Sequence, residues 1–226
     1  MKKIFAVVVL FAILFIYPVQ IKAADANDVN DANSAVIMNI DLPEPVTEGG
    51  KPLMQALKER KSAREFSGEK LPLQVLSNML WAANGISRND GKRTAPTAMN
   101  KQEIDVYVAM ANGLFLYDAK DNKLVAVLAK DIREATGKQP FVKDAPVNLV
   151  FVADYAKMGA MPNDQKDFYA ATDTGFVSQN VYLFCASEGL ATVVRGWVDK
   201  DACKAVMNLR SEQKIILAQT VGYPKK

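Results

Sequence analysis

The chain has 226 residues, half of them hydrophobic, with 28 basic against 25 acidic side chains and a net charge of +3. A charge that small, with no dense Lys/Arg block interleaved with aromatics, excludes an electrostatic case for nucleic acid. Histidine is absent, which removes the usual metal ligand and neutral-pH general base, and with them Ser–His and Cys–His nucleophilic sites. No metal site is expected. Chemistry must come from carboxylates, Lys, Tyr, Ser or a borrowed cofactor, and a redox cofactor fits best because the protein need only bind and orient it.

Lys2 and Lys3 precede an apolar run from Ile4 to Tyr17, and Ile21-Lys22-Ala23 offers a small residue for cleavage before polar Ala24 to Asp28. This is the secretory pattern. Residues 1–23 are therefore expected to be a signal peptide, with an uncleaved anchor as the alternative, and the product to be exported, periplasmic or secreted, and off the membrane after cleavage. No twin arginine precedes the run, so export is expected before folding and before any cofactor binds.

Residues 24–50 are polar and end in Gly49-Gly50. They read as a linker with one short strand at Ala35–Ile40, leaving 51–226 as one domain. The spacing of Leu53, Ala56 and Leu57 predicts a helix from Pro52. Pro72 is expected at the first position of a second helix, whose stripe is Leu73, Leu76, Met79, Leu80 and Ala83 and whose end is Gly85. Ser87–Thr94 reads as a mobile loop. Ile104–Met110 alternates like a strand, Asn112-Gly113 signals a hairpin, Leu114–Tyr117 returns, Asp121-Asn122 turns, and Leu124–Leu128 makes a third strand. A short helical segment starts at Asp131 and stops at Gly137. Val147–Ala153 is a continuous apolar run suited to a buried strand.

Gln165–Glu188 is the longest helical pattern, hydrophobic almost all round and closed by Gly189, so it needs cover on several sides, which points to a dimer interface. Asp199 is placed to cap a helix to about Leu209, and Ile215–Val221 is the last strand. The whole predicts an α+β domain. Cys185 and Cys203 are the two cysteines; two buried thiols are favoured over a disulfide.

The candidate binding motif is Arg60-Lys61-Ser62-Ala63-Arg64-Glu65-Phe66. In an extended segment i, i+2 and i+4 point the same way. If the helix ends near Arg60, one edge presents guanidinium, hydroxyl and guanidinium, which suits a phosphate. A basic helix end complementing the macrodipole is the plainer alternative.

That stretch resembles the Arg-x-Ser-x-Arg/Lys-x-Phe/Tyr start of the nitroreductase family of FMN-dependent oxidoreductases. Three further motifs follow in the family's order: Ala95-Pro96-Thr97-Ala98-Met99-Asn100-Lys101-Gln102, similar to its Pro-Ser-x-x-Asn-x-Gln loop; Gly189–Trp197, similar to its glycine-bearing strand; and the ending Val221-Gly222-Tyr223-Pro224. The runs Leu80–Ile86 and Gly113–Asp118 look most like the branch that includes azoline-forming dehydrogenases. The resemblance implies a mixed, mainly antiparallel sheet flanked by helices, and an intertwined homodimer with two FMN sites at its interface. It also implies non-covalent FMN, since no Ser-Gly-Ala-Thr type attachment motif is present, with NAD(P)H as a candidate donor.

By the same resemblance Arg60, Ser62 and Arg64 would hold the phosphate and ribityl chain, and Asn100 the flavin edge. Pro96, Thr97 and Ala98 would approach from the partner chain, and Gly196 would let backbone near N5. Lys225 or Lys226 would add phosphate contacts. Arg195 stands where relatives often carry Glu, and is the candidate pocket residue; no catalytic side chain is otherwise assigned. The implied function is ping-pong transfer of hydride or electrons between a donor and a small organic acceptor of nitro, quinone or heterocycle type. The rival is an exported binding protein that keeps the fold without redox activity.

Overall fold

The computed structural model describes residues 37–226. The expected signal peptide and the first part of the linker, residues 24–36, lie outside the described residues. Of the strand expected at Ala35–Ile40, residues 35–36 lie outside the described residues, and among 37–40 Ile40 alone is in the short β1, Ile40–Asp41. The remaining elements are α1 (Leu53–Glu59), α2 (Leu73–Asn84), β2 (Ile104–Met110), β3 (Gly113–Asp118), β4 (Lys123–Leu128), β5 (Val147–Asp154), α3 (Asn163–Glu188), β6 (Ala191–Arg195), α4 (Lys200–Val206) and β7 (Gln213–Gly222).

The seven strands form one sheet in the order β1-β4-β3-β2-β5-β7-β6. Every pairing among the described residues is antiparallel, so the mainly antiparallel sheet that was expected is antiparallel throughout. The physical reason is the insertion of β7. The crossover through α3 brings β6 back parallel to β5, but β7 lies between them and is antiparallel to both. All of β5 is buried. Leu149, Phe151 and Ala153 join the core beneath α2 and α3, while Val150 and Val152 join the core beneath α4 and the 3-10 turn Arg133–Thr136. The uninterrupted apolar run thus reflects a strand covered on both faces.

Local signals hold with small shifts. Pro72 is the N-cap of α2, one position before the expected one. Gly85 ends that helix in extended conformation, φ −74°; it is a glycine because a Cβ would come within 2.5 Å of the Trp81 ring. The β2–β3 hairpin turns at Ala111-Asn112, and Gly113 is already paired with Met110. Asp199 caps α4, its side chain accepting from Ala202 N–H. Gly189 closes α3 at φ 71°. Helix α3 corrects the all-round apolar expectation: Ala170, Val177, Val181 and Cys185 are buried, but exposed Gln165, Thr172 and Gln179 share the outer face with exposed Phe168 and Phe176. Both cysteines are buried free thiols.

Gly113 takes φ 147°, and a Cβ there would lie 2.6 Å from the Leu128 carbonyl oxygen. Gly113→Ala should therefore destabilise the domain by roughly 1–3 kcal/mol through backbone strain. A urea titration should show a lower midpoint at unchanged slope; an unaltered midpoint would mean the hairpin can re-form around a side chain.

Candidate active site

The site is built around β6. As the outer strand of the sheet, it carries backbone groups that need partners from elsewhere. The segment after α1 supplies them. The chain leaves α1 at Arg60 with φ −55° and ψ 121° and does not continue the helix. Ala63 N–H donates to the Thr192 carbonyl at 2.9 Å and Ser67 N–H to that of Tyr223 at 2.8 Å, while Phe66 bridges to Pro224. The motif is thus an extended strip between β6 and the C-terminus.

Alternation along this strip settles which side chains meet. Ser62 Oγ and Tyr182 Oη of α3 share a 2.8 Å hydrogen bond. The Arg60 guanidinium carbon lies 5.2 Å from the centre of the Tyr182 ring, a cation–π distance. Tyr182 Oη also accepts from Val194 N–H at 2.9 Å. Lys61 and Ala63 line a cavity of about 440 Å³ together with Tyr182, Gly189 and Leu190. Arg64 is exposed. Neither Arg60 nor Arg64 is in an ion pair among the described residues. Two cations and a hydroxyl remain open to an anion.

Further along this side, Gly196 is exposed. Its N–H has no hydrogen-bond partner among the described residues, so the β6 edge ends in an open backbone donor. The C-terminus lies on the same strip: Lys225 N–H reaches the Glu65 carbonyl at 3.4 Å, and Lys226 is exposed beyond it.

The loop carrying Pro96, Thr97, Ala98 and Asn100 stands apart. Among the hydrogen bonds of the described residues, none joins it to the Arg60–Arg64 strip. Met99, Asn100 and Gln102 have φ values of 51°, 52° and 48°, a left-handed run uncommon for such residues and of the kind that gathers at functional sites. Thr97 Oγ1 accepts from Gln102 N–H at 2.9 Å, Gln102 Nε2 donates to Asn100 Oδ1 at 3.2 Å, and Ala98 N–H donates to Asp173 Oδ2 at 2.9 Å. Pro96, Met99 and Asn100 are left facing outward.

Arg195 does not open onto a pocket. It is buried among neutral groups: Nε donates to Thr220 Oγ1 at 3.0 Å, Nη1 to the Thr136 carbonyl at 2.8 Å and Nη2 to Asn148 Oδ1 at 3.0 Å. Gly137 has no side chain because a Cβ would strike Nη1. Burial pulls the guanidinium down to about 10, so it stays charged at neutral pH. The expected role of Arg195 as a pocket residue is corrected: its side chain, on the last residue of β6, is directed into the protein, where Thr136, Asn148 and Thr220 take up its donors.

Three residues of the site escaped the sequence-based analysis. Tyr182 and Asp173 were both legible in principle. The α3 residues 170, 174, 178 and 182 form one buried row and 173, 177, 181 and 185 another, so a carboxylate at 173 had to be covered. The third, Glu103, is fully buried, and neither of its oxygens has a hydrogen-bond partner among the described residues. Burial first, and then neighbouring Asp173, push its carboxyl up to about 7.

The chain belongs to the nitroreductase family, a class of FMN-dependent oxidoreductases; the model of that family matches residues 57–223. A solved candidate nitroreductase from Ralstonia eutropha is 43% identical, with a TM-score of 0.81 over 84% of this chain and 91% of its own. A protein of Methanocaldococcus jannaschii named as a candidate nitroreductase is 27% identical over 73% of this chain and 88% of its own. A candidate nitroreductase from Desulfovibrio desulfuricans, solved in complex with FMN, shares the fold at 21% identity and a TM-score of 0.57, over 79% of this chain and 89% of its own.

Two outcomes follow from the buried charges. Arg195→Glu would set a carboxylate against the Thr136 and Asn148 oxygens, and should cost about 3 kcal/mol or more, read as a large fall in melting temperature. Glu103 has its folded-state value raised from 4.5 to about 7. Folding therefore favours the protonated form, and the stability it permits below pH 4.5 is lost as pH rises toward 7. Glu103→Gln should match the parent near pH 4.5 and exceed it by up to roughly 3 kcal/mol at pH 8. Parallel urea melts at the two pH values check this, and a constant difference would disprove it.

Proposed function

We propose that the chain binds FMN non-covalently and, as a homodimer, transfers hydride or electrons between a reduced donor and a small organic acceptor. The observation that carries this is the strip Arg60–Ser62–Arg64, unpaired in charge among the described residues and joined through Ala63 to β6, the strand that leads to the open Gly196 N–H. The residues present fit the group. Arg60 and Arg64 offer charge-assisted bonds to a phosphate, Ser62 a neutral one. Lys225 and Lys226 continue the positive charge at the end of the same strip. Gly196 offers a backbone donor with no side chain in the way of a planar ring.

When bound, FMN would supply the two-electron chemistry that no side chain here can supply. The chain's own part is to hold, orient and shield. With donor and acceptor served in turn at one site, the order is ping-pong, and NAD(P)H is the donor to try first. The outward loop at 96–102, with exposed Met99 and Asn100, is suited to reach the site of a second copy, with Pro96, Thr97 and Ala98 shaping its approach. Exposed Phe168, Phe176 and Trp197 support burial of this side in a dimer. The N-terminal charge and hydropathy pattern supports action after export.

The test is reconstitution with FMN followed by gel filtration and a visible spectrum. Yellow protein that prefers FMN to riboflavin is expected, and a colourless product with no FMN-dependent rise in melting temperature would refute the assignment. Arg60→Ala should weaken FMN binding by about 2 kcal/mol, and Arg64→Ala by less because it is more exposed to screening solvent. Sedimentation should give a dimer without FMN; a folded monomer at micromolar concentration would contradict the interface site.

A further inference from the structure

Tyr182 touches two of the three residues of the phosphate strip, Arg60 and Ser62, and its hydrogen bonds have a direction. Resting on the FMN reading above, we infer that Tyr182 is a positioning residue that fixes the Ser62 hydroxyl as a donor to the ligand phosphate. Tyr182 Oη accepts from Val194 N–H at 2.9 Å. Its remaining polar contact among the described residues is Ser62 Oγ at 2.8 Å. A phenol has one proton to give. The residue is 7% exposed, and a buried hydroxyl proton needs an acceptor. If Ser62 donated to Tyr182, Oη would accept twice and its own proton would have no protein acceptor. Donation therefore runs from Tyr182 to Ser62.

The consequence lies at Ser62. With one lone pair engaged by Tyr182, its own proton is free to turn outward, away from the ring. Ser62 is exposed, so that proton points where an anion held by Arg60 and Arg64 would sit. A hydroxyl that accepts a hydrogen bond becomes a better donor through polarisation along the chain. The relay begins at a fixed backbone group, Val194 N–H, so it costs no reorganisation when a ligand arrives. The ring has a second effect, since the Arg60 guanidinium carbon stacks on it at 5.2 Å, limiting the directions in which that cation can point. One side chain of α3 thus orients both the neutral and a charged donor of the strip.

Tyr182→Phe separates these effects, because the ring under Arg60 remains and only the hydroxyl is lost. FMN affinity should fall by about fivefold, the worth of a neutral hydrogen bond, while riboflavin affinity should stay unchanged. In a Ser62→Ala background the same change should have no further effect on FMN binding. An equal loss for FMN and riboflavin, or a full additional loss in the Ser62→Ala background, would overturn the inference, since either marks a general disturbance of the site. So would unchanged FMN affinity in Tyr182→Phe when the parent binds FMN; that result would leave the FMN reading standing. If the parent fails to bind FMN, the FMN reading falls. Inorganic phosphate, titrated against parent and Tyr182→Phe by thermal shift, then decides the relay separately. A weaker phosphate response in the variant supports it, and equal responses reject it.

Discussion

The unpaired side of β6 is the constraint from which the site grows. By inserting between β5 and β6, β7 makes β6 the last strand of the sheet. Its outward amides and carbonyls would otherwise be a template for another chain. The structure covers them by two means, the strip after α1 at Thr192 and the Tyr182 hydroxyl at Val194, and leaves Gly196 uncovered among the described residues. That graded cover gathers an arginine-rich strip, an ordered phenol and an open backbone donor along a single line. In a sheet ending in a fully paired strand there would be no place for this arrangement.

Helix α3 ties this edge to the rest of the domain. Its row Ala170, Thr174, Ser178, Tyr182 and its row Asp173, Val177, Val181, Cys185 are buried, and each delivers one polar group to a distinct task. Tyr182 serves the strip. Asp173 accepts from Ala98 N–H and so anchors the loop that holds Asn100 in its left-handed turn. The two polar tasks lie nine positions apart, two and a half turns, on a helix rigid enough to keep their separation constant. A carboxylate beside Asp173, that of Glu103, is buried without a partner and held toward its neutral form. Burial, and then the neighbouring Asp173, are what raise the Glu103 carboxyl, since taking a carboxylate out of water beside a like charge disfavours its ionised form.

Arg195 shows how the same strand serves stability with its alternate side. A buried guanidinium is tolerable when its donors are satisfied, and here Thr136, Asn148 and Thr220 supply only neutral acceptors. The charge holds the 3-10 turn Arg133–Thr136 against β5 and β7. Its neighbour Gly196 faces outward with no side chain. Within two residues, the chain passes from a structural cation at the end of β6 to an open backbone donor just beyond it.

Patterns with a short physical range were legible in the sequence. Helix α1 and its end at Arg60, the α2 stripe, the β2–β3–β4 meander, the fully buried β5, the αL close of α3 at Gly189 and the Asp199 cap all follow from neighbours within a few residues, where periodicity and capping act. The extended strip with Arg60 and Ser62 on one side was legible for the same reason. The family resemblance placed the strip, the loop and the C-terminal residues in a common chemical setting, but not in contact. The tertiary structure alone decided that β7 would split β5 from β6, making every pairing antiparallel, because strand order depends on where a long crossover returns. It alone decided that Arg195 is buried and Asp173 is an anchor, since the outward or inward sense of a side chain depends on which element covers it. And it brought Tyr182 under Ser62, 120 positions away in sequence, a contact that no local pattern encodes.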